Sequence, residues 1–146
     1  LIIEIFRKNG WTLVPDSRKE LMRYRLEMAE ERLKSSKVLL DAGSYKDSIG
    51  RSYYAMFTAV RALLAVEGQD FSKHAGVIAY FQKEYIKSGK IEKKYSKYIS
   101  QAFQIRNNTD YADFFIVSMQ DAQEQYEKAK EFFEMIKAYL QDCEQA

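Results

Sequence analysis

Two glycines, Gly43 and Gly68, bracket the stretch that most constrains this chain. Between them, Tyr45–Glu67 reads YKDSIGRSYYAMFTAVRALLAVE. Ile49, Tyr53, Met56, Phe57, Val60, Leu63 and Leu64 recur at three- and four-residue spacing, which gathers them on one face of a helix. Arg51, Tyr54, Thr58 and Arg61 fall on a second, polar and aromatic face. A helix with a core stripe and a polar stripe belongs at the centre of a small domain.

The rest of the chain repeats this theme. Met22, Leu26, Ala29, Leu33, Ser36 and Leu40 form a seam that predicts a first helix. Ser17-Arg18-Lys19-Glu20 has the form of a capping box at its start, and Gly43 suits its left-handed C-terminal position. Ser44 to Asp47 repeats the capping form, so helices one and two are expected to make an antiparallel hairpin. Ser72 is the expected cap of a third helix that runs to about Ser88, with Val77, Ile78, Phe81, Tyr85 and Ile86 inside. A fourth helix is predicted from about Lys90 to Asn107, with a seam of Ile91, Tyr95, Tyr98, Ala102 and Ile105. Asn107, Asn108, Thr109 and Asp110 should end it, because short polar side chains compete for the backbone. Ser118-Met119-Gln120-Asp121 opens the last helix, whose seam is Met119, Ala122, Tyr126, Ala129, Phe133, Ile136, Leu140 and Cys143. The expected fold is all-α, an up-and-down bundle of about five helices. Residues 1–16 are read as an N-terminal arm, strand or helix turn, and 17–146 as the helical domain. The sequence begins at Leu1 rather than Met, which leaves room for upstream residues.

Composition narrows the function. The formal charge is only +2, which carries no global signature of nucleic-acid binding. The charge is uneven, however. Lys73–Ser100 holds seven Lys against two Glu, whereas Met119–Ala146 holds three Lys against seven acids. These segments can pair within one molecule, pair between two, face an anionic partner, or simply be solvated. A single Cys and a single His exclude a disulfide framework and zinc held by His and Cys clusters. No metal or cofactor is expected. No Gly-rich phosphate loop is present, and His74 alone is thin support for a Ser/His/Asp triad. With no membrane-length apolar run or signal peptide, a cytoplasmic location is expected.

Three polar sets remain beside the apolar seams. Arg51, Tyr53 and Tyr54 lie early in helix two, Lys73 and His74 open helix three, and Arg106, Asn107, Asp110 and Tyr111 sit at the end of helix four. Each also has a plain structural reading. Arg106 complements the helix dipole and pairs with Asp110. His74 is a first-turn residue half buried by packing. Tyr53 and Tyr54 are one core and one interface tyrosine rather than a platform for bases.

In order, RSYYAMFTAVRALL, FSKHAGVIAYF, the YIKSG turn and RNNTDY before a long amphipathic helix resemble the HEPN domain (higher eukaryotes and prokaryotes nucleotide-binding). The resemblance spans about Leu21 to Leu140 and implies a helical bundle that dimerises. Many members are ribonuclease toxins that use an Arg, often followed by a polar residue, and a His with four to six positions between them. Others partner minimal nucleotidyltransferases, and some have no demonstrated activity. Arg106-Asn107 matches the front of the motif, but Asn108, Thr109, Asp110, Tyr111, Ala112 and Asp113 follow with no His. The ribonuclease pairing is therefore not carried over. Nor is the tyrosine that some antitoxin partners modify, since Tyr111 does not stand two residues past such a His. RNA cleavage by its own 2′-hydroxyl needs proton transfer near neutral pH, for which His is the natural group and Arg a poor base.

The resemblance implies three functions. In the first, a nucleotide- or RNA-binding or adaptor module presents Arg106, Asn107, Asp110, Tyr111, Lys73, His74, Arg51 and Tyr54, and partners a nucleotidyltransferase. The second is a metal-independent ribonuclease that uses Arg106 with His74 or Asp110. The third is a structural dimerisation partner.

Overall fold

The structure is a computed structural model that describes residues 13–145; the N-terminal arm expected over 1–16 lies mostly outside the described residues. Among the described residues the chain forms α1 (Asp16–Asp41), α2 (Tyr45–Glu67), α3 (His74–Phe81), α4 (Lys94–Tyr111) and α5 (Met119–Gln145), with no strand. The all-α bundle expected from periodicity is what forms.

Helix α2 is the axis. It packs against α1 along the hairpin and also meets α3, α4 and α5. Its predicted seam, from Ile49 to Leu64, is buried throughout. Small residues let α1 and α2 approach closely. Ser36, Ser48 and Ser52 are fully buried between them, with Ser36 Oγ 2.7 Å from Ser52 Oγ and Ser48 Oγ donating to the Ser36 carbonyl at 2.9 Å. These hydroxyls satisfy one another, so their burial leaves no orphan donors. The far side of the core is aromatic, with Phe81 and Phe132 at 5.7 Å and Tyr95 edge-on to Phe132 at 5.9 Å.

Helix ends show which local signals survive tertiary context. Gly43 (φ +81°) and Gly68 (φ +68°) stop their helices in the left-handed region, as glycine does cheaply. The amide of Ser44 donates to the Leu39 carbonyl at 2.8 Å and that of Gly43 to Leu40 at 3.1 Å, a closed Schellman pair. Ser44 therefore serves the end of α1, and its side chain does not cap α2. The Ser17 capping box does not form either. Helix α1 starts one residue earlier, and the Pro15 carbonyl takes the Arg18 amide at 3.0 Å. The box before α5 does form: Asp121 N donates to Ser118 Oγ at 3.0 Å and Ser118 N to Asp121 Oδ2 at 3.2 Å.

Two helices depart from their expected lengths. Lys73, not Ser72, precedes α3, which runs into a π turn over Gln82–Ile86 before Gly89 (φ +82°) ends the segment. Helix α4 begins at Lys94 and continues past Asn107 to Tyr111. The polar run does not break it. Arg106 Nε lies 2.8 Å from Asp110 Oδ2, four residues on, and Thr109 Oγ1 donates to the Arg106 carbonyl at 2.8 Å. Both contacts stay within helical geometry and hold the last turn. Ile99, absent from the predicted seam, is fully buried, whereas Met119 is 61% exposed.

Candidate functional site: an arginine-lined groove beside a histidine

The polar face of α2 meets the start of α3 and the end of α4. Tyr53 is fully buried, and its hydroxyl lies 2.9 Å from His74 Nδ1. His74 stacks on Phe57 at 4.1 Å between ring centres and meets Tyr54 edge-on at 5.8 Å. Arg106 reaches in from α4. Its Nη2 donates to Tyr54 Oη at 3.0 Å, and its guanidinium sits 5.1 Å from the Tyr54 ring centre and 5.7 Å from that of Tyr53. Such placement is a cation–π contact, favoured when the cation is partly desolvated. Asp110 holds the Nε edge. Arg106 Nη1 has no hydrogen-bond partner among the described residues.

The electrostatics follow from burial. Burial, with the Arg106 and Arg61 guanidiniums nearby, pulls the His74 pKa below its ordinary value, so the imidazole is neutral at pH 7. Burial pushes the Tyr53 phenol well up against the opposing pull of Arg106, so Tyr53 keeps its proton.

On the outer side of Tyr54 lies an open groove of about 560 Å³. Arg32, Lys46, Arg51 and Arg106 line it against only Asp47 and Asp110. Gly50 forms part of the wall, and a methyl group added there would meet nothing within 4 Å. Glycine in a helix interior costs about 1 kcal/mol relative to alanine, and no packing among the described residues offsets it.

The predicted residues separate in space. Arg106, Asp110, Tyr54 and Arg51 line the groove. His74 joins the cluster through Tyr53 and the aromatic rings, and its ring makes no direct hydrogen bond to Arg106 or Asp110. Asn107 faces a different cleft, between α3 and α4. Lys73 is exposed, and Tyr111 is 78% exposed outside both cavities. Arg32 and Lys46 were not singled out from the sequence. They come from the middle of α1 and the first turn of α2, and only the hairpin brings them to Arg106. The basic and acidic segments pair in part within the molecule, through Lys94 and Glu131 at 3.1 Å. Among the described residues no group of His, Cys, Asp and Glu is placed to hold a metal, and no helix is long and apolar enough to cross a membrane.

A five-helix bundle with a cation-lined groove against a tyrosine–histidine cluster defines a small all-helical domain. The HEPN domain model matches residues 22–139, and the chain belongs to that family. It is 31% identical to a UPF0332 protein of Thermotoga maritima over 90% of this chain and 99% of that one. It is 32% identical to "Putative toxin MJ0142" of Methanocaldococcus jannaschii, covering 79% of this chain and 78% of the relative. A second protein of that organism, "Putative toxin MJ0605", is 37% identical over 59% of this chain and 64% of its own length.

Proposed function

We propose that this HEPN domain is a toxin-like module that binds RNA or nucleotides through their phosphates in the groove between Arg32, Lys46, Arg51 and Arg106. One observation carries the reading. Arg106 is held in place by Tyr54 and Asp110, yet keeps Nη1 unspent at the wall of a groove where cations outnumber carboxylates. A pre-positioned guanidinium binds phosphate with little ordering cost. Gly50 adds support, since it keeps the helix backbone open to close approach where none of the described residues fills the space.

Fluorescence anisotropy with a short single-stranded RNA tests the proposal. Arg106→Ala and Arg51→Ala should weaken binding, while Lys137→Ala, an exposed charge change on α5, should not. Equal loss in all three would mean general charge attraction and not a groove. The proposal extends to pairing with a second copy and to partnership with a small nucleotidyltransferase; sedimentation velocity tests the first and co-purification the second.

A second reading is ribonuclease chemistry, favoured by His74. It lies thirty-two positions before Arg106 in sequence yet in the same cluster, neutral and therefore able to accept a proton. This reading requires Nδ1–H to donate to Tyr53, which leaves Nε2 as the base for the 2′-hydroxyl while Arg106 stabilises the phosphate charge. RNA degradation that His74→Ala abolishes, with binding retained, would establish it. Intact RNA after prolonged incubation with the wild type would remove it and leave the binding reading standing.

A further inference from the structure

Helices α3 and α4 run antiparallel beside the site, and a cleft of about 370 Å³ separates them. Ala75 and Ala79 line it from α3; Ser100, Phe103, Gln104 and Asn107 line it from α4. No charged side chain lines it, in contrast to the groove on the other side of Arg106. Its polar groups are amides and a hydroxyl. The side chains of Gln104 and Asn107 make no hydrogen bond to any other described residue, whereas Gln82 is tied to Ser96 and Ser100 at 3.2 and 2.7 Å. Phe103 forms the inner wall, edge-on to Tyr53 at 5.8 Å.

We infer that this cleft is a nucleobase pocket, and that a nucleotide bound here lies across α4 with its phosphate on Arg106 and its base between Ala79 and Gln104. The inference rests on the reading of the Arg106 groove as a phosphate site. Three features point to a base and not to a further phosphate or an acidic peptide. The lining is uncharged. Its uncommitted amides carry both donors and acceptors, the chemistry that meets a base edge. An aromatic ring and alanine methyls supply the flat apolar contact on which bases rest. The two cavities also flank one ring: Phe103 of the cleft lies 5.8 Å from the Tyr53 ring centre, and the Arg106 guanidinium of the groove lies 5.7 Å from it.

Two probes of equal length test this: a short single-stranded RNA and an abasic ribose-phosphate oligomer with the same phosphates. RNA should bind about tenfold more tightly than the abasic probe. Ala79→Trp fills the cleft from an exposed helix position and should bring RNA down to the abasic level, with abasic binding unchanged. The double variant Gln104→Ala/Asn107→Ala should cut the preference about threefold, and it decides the matter if Ala79→Trp loses helicity by circular dichroism. Equal affinity for both probes in the wild type overturns the base pocket but leaves the phosphate groove intact. Binding of neither probe overturns the groove and the pocket with it. If Ala79→Trp disrupts self-association in sedimentation but keeps the base preference, the cleft is a contact between copies and the inference is wrong.

Discussion

Helix α2 carries two tyrosine clusters built around a charge, and they end in opposite states. At its C-terminus, Glu67 is buried and receives Tyr80 Oη at 3.1 Å and Tyr85 Oη at 2.6 Å, one on each carboxylate oxygen. Near its middle, Tyr53 and Tyr54 surround His74 and Arg106. The first cluster is closed: two donors meet two acceptors. The π turn makes this possible. Residues five apart on an α-helix point roughly 140° away from each other, and the wider turn over Gln82–Ile86 brings Tyr80 and Tyr85 to the same carboxylate. The second cluster is open, because Arg106 keeps a nitrogen unspent and borders a groove with three more cations. Tyrosines around a charge are therefore no mark of a ligand site by themselves; the two clusters differ in their unspent donors and in the balance of charge beside them.

The largest expected effect breaks the closed cluster. Glu67→Ala strands two tyrosine hydroxyls and leaves a cavity, and should cost about 3 kcal/mol in denaturant unfolding. RNA affinity of the folded variant should be unchanged. Arg106→Ala should do the reverse, lowering RNA affinity by about thirtyfold, the worth of about 2 kcal/mol for a charged contact, while stability shifts less. If both variants lose both properties, the two clusters are one unit and the comparison fails.

Gly50→Ala sharpens the contrast at smaller scale. It should raise stability by about 0.5–1 kcal/mol, since nothing within 4 Å resists the methyl group. Binding should weaken, because that methyl enters the groove. Greater stability with unaltered binding would place the ligand away from Gly50.

The smallest effect is in pH dependence, where the clusters oppose each other. Burial, partly offset by the Tyr85 and Tyr80 hydrogen bonds, raises the Glu67 pKa above its ordinary 4.5. The folded state thus holds a proton more tightly there, and this contribution fades as pH rises through the folded pKa. For His74 the folded pKa is lowered from 6.5, so its contribution is present above that value and is lost as pH falls. On acidification from pH 7 to 5, Glu67→Gln should steepen the fall in Tm and His74→Gln should flatten it. Identical slopes in both variants would mean that other carboxylates govern the acid limb.

Much of the bundle was legible because burial imposes its period on the sequence. The α2 stripe and most of the α1 and α5 seams are apolar wherever they meet a neighbour. Caps were legible only where no other partner competed: Ser118 and Asp121 bond reciprocally, but Ser44 spends its amide on the helix before it. The end of α4 was misjudged because Asn107, Asn108 and Thr109 signal a break locally, while Arg106–Asp110 and the Thr109 back-bond keep the helix turning. Neither the π turn nor the Glu67 cluster has a local signature, since each depends on where α2 ends relative to α3. The site was half legible. Arg106, Asp110, Tyr54 and Arg51 stood out as polar residues beside apolar seams. Arg32 and Lys46 did not, because a cation on a helix surface reads as solvated until the hairpin turns it toward Arg106.

The central claim is that Arg106 and its neighbours form one phosphate-binding groove. The salt dependence of RNA binding tests it most directly. For single strands the slope of log K against log salt is about −0.7 per phosphate neutralised. With three or four groove cations engaged, the wild type should give a slope of about −2 to −3, and Arg51→Ala and Arg106→Ala should each make it shallower by about 0.7. A flat wild-type slope, or one that neither substitution changes, would contradict the groove as the site of binding.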